Sequence, residues 1–225
     1  IRDSSTSRGL GDVYKRQVIV FTSFNPGSGK SHIAANMAMS LAIKKKKVLL
    51  IDGDLRHGST SMLIHSPGEG LSDYLNGRIA DIHDILYKGE ENGLVKNFDV
   101  IPIGTIPPNP SELLFTPLLE QMIKTMREEY DYVFIDCPPI EVVADTPIYE
   151  QFADRTIFVV RAGLMERSML PEIDALYKEK KFKNMTLILN GTKARGGRYG
   201  SHYGYGYGYG YGYNYNKEKN GGAKS

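Results

Sequence analysis

The stretch Val18-Ile19-Val20-Phe21-Thr22-Ser23-Phe24-Asn25-Pro26-Gly27-Ser28-Gly29-Lys30-Ser31, with the helix-forming run behind it, decides the fold. A short apolar run predicts a buried strand, Pro-Gly-Ser-Gly a tight turn, and the residues from 29 to 43 a helix. Glycines at 27 and 29 let backbone amides approach phosphate oxygens, and the start of a helix adds a favourable dipole. Lys30 is then placed to reach terminal phosphates, and the Ser31 hydroxyl to ligate magnesium. Gly27, Ser28, Gly29, Lys30 and Ser31 are therefore candidate nucleotide-binding residues. Phe24 stands where the pattern G-x-x-x-x-G-K-[ST] has its first glycine. On this stretch alone, a Gly-Ser-Gly turn that merely caps a helix remains the bland alternative.

Working outward, short apolar runs alternate with longer amphipathic ones. Strands are expected near 18–23, 47–52, 99–103, 131–136, 156–161 and 185–190. Helices are expected near 29–43, 71–76, 79–87, 111–129, 144–152 and 167–181. This alternation predicts an α/β fold, a mostly parallel sheet with helices on both faces. The carboxyl ends of its strands then share the edge where such sheets bind ligands. Val48-Leu49-Leu50-Ile51 delivers Asp52-Gly53-Asp54 to that edge, and Tyr132-Val133-Phe134-Ile135 delivers Asp136. Mg²⁺ takes oxygen ligands and keeps several waters, so one or two carboxylates suffice for it and another is left for proton transfer. Aspartate at a strand end is also an ordinary turn residue. Three of them beside a phosphate loop are harder to dismiss.

Composition sets the limits. At 225 residues, 41% hydrophobic and 24% charged, the chain fits one globular domain with a tail. Its apolar runs are strand-length, well short of the ~18 residues a membrane helix needs. A net charge of +2 gives no reason to expect nucleic acid as a partner. The single cysteine, Cys137, fits a reducing, cytoplasmic compartment, in which the Asn-x-Thr triplets at Asn184 and Asn190 go unglycosylated. Lys44-Lys45-Lys46-Lys47 reads as a solvated helix end more readily than as a lipid contact. Residues 1–17 have neither an apolar period nor a signal-peptide core and read as foreign to the domain, which spans 18–194.

Residues 195–225 alternate tyrosine with glycine at Tyr199, Tyr203, Tyr205, Tyr207, Tyr209, Tyr211, Tyr213 and Tyr215. No apolar face of either period forms there, so an exposed, flexible tail is expected. Without a nucleotide site such a run would read as sticky low-complexity sequence. Behind a phosphate loop, it reads as a set of phosphate acceptors.

The motifs NPGSGKS, VLLIDGDLR (48–56), PPNPSELL (107–114) and YDYVFIDCPP (130–139), with the terminal tyrosine cluster, resemble those of the bacterial tyrosine kinases of capsule and exopolysaccharide synthesis. That resemblance implies a P-loop NTPase fold with a deviant Walker A motif, akin to the MinD and ParA ATPases. It also implies an ATP-dependent kinase that phosphorylates its own tyrosine cluster. Lys30 and Ser31 would bind ATP and magnesium, Asp54 and Asp136 would organise the metal, Asp52 would activate the tyrosine hydroxyl, and Asn190 would read the adenine. Further implied are a homo-oligomeric ring, a membrane polysaccharide co-polymerase segment, a cognate tyrosine phosphatase and a place at the inner face of the plasma membrane. Two departures stand out. Asn25 occupies the position of the signature lysine of the partitioning and cell-division ATPases, which weighs against a switch ATPase. The family's oligomerisation helix should precede the first strand, where residues 1–17 do not supply it. A catalytically silent export adaptor is the other alternative.

Overall fold

The computed structural model describes residues 16–64, 68–141 and 145–192. Most of the amino-terminal segment and the whole tyrosine cluster lie outside the described residues. Six strands form one sheet in the order β3-β2-β4-β1-β5-β6: β1 (Gln17–Ser23), β2 (Val48–Asp52), β3 (Phe98–Ile101), β4 (Tyr132–Asp136), β5 (Arg155–Arg161) and β6 (Thr186–Asn190). Every pairing is parallel. All six fall where the sequence pattern predicts them, to within two residues.

Both faces of the sheet are covered, as its apolar strands require. Val18, Val20, Leu49, Ile51, Val133 and Ile135 point to one side. There they meet α2 (Leu71–Leu75), α4 (Pro117–Glu129) and α5 (Thr146–Glu150). Ile19, Phe21, Val48, Leu50 and Phe134 point to the other. There α1 (Lys30–Ile43) packs through Ala34, Ala35, Ala38 and Ala42, whose small side chains let its first turn sit close to the sheet. α6 (Leu170–Lys178), entered through a 3₁₀ turn at Arg167–Met169, covers Phe158 with Ile173, and Phe182 beyond its end joins the same cluster.

Two helical expectations are corrected. The helix expected over 111–129 is two helices, α3 (Pro110–Leu113) and α4. Pro117 holds Thr116 extended, at φ −74° and ψ 147°, because a residue before proline is kept out of the helical region. The helix expected over 79–87 is only a 3₁₀ turn at Ile82–Ile85. Asp81 accepts a hydrogen bond from the His83 amide at 2.9 Å, and Tyr87 exchanges backbone hydrogen bonds with Val100 at 2.8 and 3.0 Å. One local partner and one from β3 thus compete successfully with a helical ladder. Among the described residues no helix is long and apolar enough to cross a membrane.

The chain leaves β1 toward β2 and β3 on one side and returns to β5 and β6 on the other. The end of β1 is thus the point where the direction of winding reverses, the usual ligand crevice of such sheets.

Candidate active site

The loop after β1 turns its carbonyls away from that crevice. Asn25 O accepts from the hydroxyls of Ser23 (2.9 Å) and Ser28 (2.7 Å), Gly27 O from Arg161 Nη1 (2.8 Å), and Ser28 O from Asn190 Nδ2 (2.9 Å). Gly29 O starts the ladder of α1 with the Ile33 amide at 3.0 Å. Among the described residues, none of the amides from Gly27 to Lys30 donates to a backbone carbonyl. A turn most of whose carbonyls are used, and whose amides from Gly27 to Lys30 have no backbone partner, is a receptor for an anion. Gly27 and Gly29 reach this shape with φ of 73° and 90°, in the left-handed region that favours glycine. Phe24, in place of the usual first glycine, is buried against Phe158, Ile173 and Phe182, so that position faces core, not ligand.

The aspartates meet this loop from β4, the strand beside β1, and from β2, the next one beyond it. Asp52 and Asp136 are paired across β2 and β4, and both are wholly buried. Asp136 Oδ1 lies 3.6 Å from the buried Lys30 Nζ and has no hydrogen-bond partner, while Oδ2 accepts from Thr60 Oγ1 at 2.8 Å. A buried carboxylate oxygen left without a partner is the kind of atom a cation or its water satisfies. Burial raises the Asp136 carboxyl above its ordinary range, against the pull of Lys30 and the hydroxyls of Ser31 and Thr60. Asp52 accepts from the Ser61 amide and hydroxyl, both at 2.7 Å. Burial, and then the charge of Asp136, push the Asp52 carboxyl up to about 7, with Ser61 opposing. Asp54 accepts from the amides of Arg56 and His57 at 3.3 Å, an aspartate turn that keeps its carboxylate at the loop. Among the described residues no three His, Cys, Asp or Glu side chains form a ready metal cage. The donor set of Ser31, Asp54 and Asp136 fits Mg²⁺, which takes few protein ligands and relies on water and phosphate for the rest.

Lys30, Ser31, Asp52, Asp54 and Asp136 are thus gathered at one sheet edge. Asn190 is there as well, its amide engaged with the loop carbonyl of Ser28 and its Oδ1 with the Gly191 amide at 2.8 Å. The tyrosine cluster lies outside the described residues. Sequence reasoning missed Thr60 and Ser61, although three hydroxyl residues in a row, Ser59 to Ser61, follow the Asp52-Gly53-Asp54 motif. It missed Arg161, a cation ending an apolar strand at the ligand edge. Tyr149, whose hydroxyl donates to Gly53 O at 3.2 Å, carried no signal.

A phosphate-binding loop after the first strand, with aspartates closing the adjacent β4 and, next beyond it, β2, defines a P-loop nucleotide-binding domain. The family model described as an AAA domain matches residues 16–165. The tyrosine-protein kinase CpsD of Streptococcus agalactiae is 34% identical over 190 residues, covering 84% of this chain and 81% of that protein. Of the solved structures, the kinase domain of the Escherichia coli tyrosine kinase ETK superposes with a TM-score of 0.71 at 31% identity, covering 80% of this chain and 69% of that one. The cell-division protein MinD of Pyrococcus horikoshii, solved with Mg-ADP, shares the fold at 24% identity, with a TM-score of 0.62 over 77% of this chain and 69% of that one. The chain belongs to the bacterial tyrosine-protein kinases. It spans only about a quarter of the longer curated relatives it matches.

Proposed function

We propose that this chain is an ATP-dependent protein tyrosine kinase that phosphorylates its own carboxy-terminal tyrosine cluster and thereby regulates capsular or exopolysaccharide synthesis and export. The observation that carries the reading is the phosphate loop, with its amides free and most of its carbonyls used, facing buried Lys30 and the paired Asp52 and Asp136.

Phosphoryl transfer asks a protein mainly for position and charge stabilisation. The loop amides and Lys30 hold the γ-phosphate. A tyrosine oxygen bonds to its phosphorus as the bond to the β–γ bridging oxygen breaks, and ADP leaves. Ser31, Asp54 and Asp136 would hold magnesium, which when bound neutralises charge on the phosphates. Asp52 accepts the phenolic proton. A free phenol has a pKa near ~10, so its proton must pass to a base as the bond forms, a contribution of roughly 10²–10⁴ in rate. With a carboxyl near 7, Asp52 is a better proton acceptor at neutral pH than an ordinary aspartate. Asn190 would contact the adenine from the end of β6.

The acceptors are Tyr199, Tyr203, Tyr205, Tyr207, Tyr209, Tyr211, Tyr213 and Tyr215. Glycine spacing suits an enzyme that reads little sequence around its acceptor. Family likeness adds a homo-oligomeric ring in which one copy phosphorylates another, a membrane co-polymerase segment that brings the domain to the inner face of the plasma membrane, and an opposing phosphatase. Each phosphate adds about −1.5 to −2 charges, so repulsion between modified copies would loosen the assembly.

Incubating the full chain with γ-labelled ATP and magnesium, then mapping phosphopeptides, tests this reading. Label on the cluster supports it. ATP turnover without phosphotyrosine would mark a switch ATPase, and nucleotide binding with neither a silent adaptor.

A further inference from the structure

At the opposite edge of the sheet, where β5 and β6 begin, lies a hollow of about 710 Å³ whose lining includes Arg155, Lys178, Lys180 and Lys183 and no carboxylate. Tyr177, 64% exposed, and the buried Phe182 give it an aromatic wall. Lysines at the end of a helix are common because they complement its dipole, and that accounts for Lys178 and Lys180 at the end of α6. It does not account for Arg155, the first residue of β5, or Lys183, which lies before β6. Two segments far apart in sequence, the start of β5 and the run from Tyr177 to Met185, converge to make one basic concavity. Its cations are only lightly engaged: Lys178 pairs with exposed Asp174 at 2.6 Å, Lys183 Nζ donates to Gln151 O at 2.8 Å, and Arg155 Nη1 donates to Thr186 Oγ1 at 3.2 Å. Exposed pairs of this kind contribute little and exchange readily for a stronger anion.

We propose that this hollow is a binding site for phosphotyrosine, occupied by a phosphorylated tyrosine of a second copy's cluster. The site lies apart from the nucleotide edge, by the ~20 Å that a seven-residue strand spans. A dianionic phosphomonoester complements Arg155, Lys180 and Lys183, with Arg offering the planar fork that suits phosphate oxygens. The phenyl ring it is carried on complements the exposed Tyr177. A concave site of this size suits a phosphorylated side chain together with its flanking residues better than a flat lipid surface. Such a site would hold one copy's product on its neighbour and oppose the repulsion that phosphorylation creates. The proposal rests on the reading that this chain's product is phosphotyrosine.

The test uses phosphatase-treated full chain and a synthetic fluorescent peptide of Gly-Tyr repeats carrying one phosphotyrosine, read by anisotropy at moderate salt. The phosphopeptide should bind at least about tenfold more tightly than its unphosphorylated twin, and the R155A/K180A variant should lose about that factor. The K44A/K45A variant, which removes the same charge elsewhere, should change affinity by less than about twofold. Equal binding of the two peptides would overturn the proposal. So would an equal loss in K44A/K45A, which would signal net charge alone, or unchanged binding in R155A/K180A, which would put the phosphopeptide at the nucleotide edge. Sedimentation with phosphatidylglycerol vesicles that depends on Arg155 and Lys180, without a matching effect on the peptide, would make the hollow a membrane contact and overturn it too. Because the peptide is synthetic, failure here leaves the kinase reading untouched, and failure to label from ATP leaves this measurement untouched.

Discussion

Asp52 and Asp136 end adjacent parallel strands in register, yet their carboxylates keep different company: Asp136 sits 3.6 Å from Lys30, while Asp52 takes two hydrogen bonds from Ser61. Two acids at one site, one facing a cation and the other held by a neutral residue, are suited to different tasks. The first fits the metal and phosphate side, the second the proton.

The raised carboxyl of Asp52 gives a stability test with a definite sign. Its folded value, about 7, lies above the ordinary 3.8, so it favours the folded state below the ordinary value, and that contribution is lost as pH rises through about 7. Without magnesium or nucleotide, the urea midpoint should fall as pH rises from about 4 to about 7 and level off above that, and Asp52→Asn should flatten the fall. The variant should also be the more stable protein at the upper pH. Parallel pH profiles for the two proteins would contradict the assignment.

The same substitution separates roles in catalysis. Asp52→Asn should lower the rate by roughly 10² or more while Mg·ATP binding changes little, and should remove the rise of kcat/KM as pH passes through the free enzyme's ionisation. Asp136→Asn should weaken magnesium-dependent nucleotide binding as well. Steady-state labelling together with equilibrium nucleotide binding distinguishes them, and identical behaviour of the two variants would be inconsistent with a division of labour.

Lys30→Met should abolish labelling, with a loss on the order of 10²–10³ or greater, because it removes charge stabilisation from a buried anion site that no neighbour replaces. The domain should stay folded, since Asp136, already pushed toward its neutral form by burial, can take up a proton when its cation is gone. Circular dichroism and labelling are the readouts. Retained labelling would remove Lys30 from the mechanism.

The strands were the most legible part of the chain, because parallel strands buried on both faces must be continuous apolar runs, as Val48 to Ile51 and Ile157 to Val160 are. The site residues that lie on motifs, Lys30, Asp52, Asp54 and Asp136, were legible for the same reason: strand ends fix them at one edge. Helix boundaries were less so. Pro117 carried a break that periodicity alone ran across, and the segment from Asp81 to Tyr87 gave up its helical pattern to the Asp81 side chain and to the backbone of Val100. Contacts such as Thr60 to Asp136 and Tyr149 to Gly53 depend on how loops fold over the sheet, which no local pattern encodes.

Gly53 separates Asp52 from Asp54, and both of its backbone polar groups are held, the amide by Asp136 O at 2.9 Å and the carbonyl by the buried Tyr149 hydroxyl. Tyr149→Phe leaves the ring in place and the carbonyl without that partner, at a cost of about 1 kcal/mol. Thermal unfolding should show that modest loss, and the magnesium concentration giving half-maximal labelling should rise. A stability loss with no shift in magnesium dependence would reduce Tyr149 to a packing role.

Gly29 should not tolerate a side chain. Its φ of 90° costs an L-residue about 1–2 kcal/mol, and a Cβ there would collide with the Asn190 amide. Gly29→Ala should therefore lower nucleotide affinity by more than it lowers stability, because the Asn190 side chain must swing aside and release the loop carbonyl of Ser28. Equal nucleotide affinity in a calorimetric titration would mean that the loop carbonyls need not be pinned as they are.

The most direct measurement compares total phosphotyrosine after incubation with labelled ATP and magnesium in the wild-type chain and in a variant with Tyr199, Tyr203, Tyr205, Tyr207, Tyr209, Tyr211, Tyr213 and Tyr215 all replaced by phenylalanine. Phenylalanine keeps the ring and removes only the acceptor oxygen, so chemistry is separated from stickiness. The kinase reading predicts that most of the label disappears while ATP binding is unchanged, and that any single replacement removes only a small share. Undiminished labelling of the all-phenylalanine chain would contradict it, because the acceptors would then lie in the core.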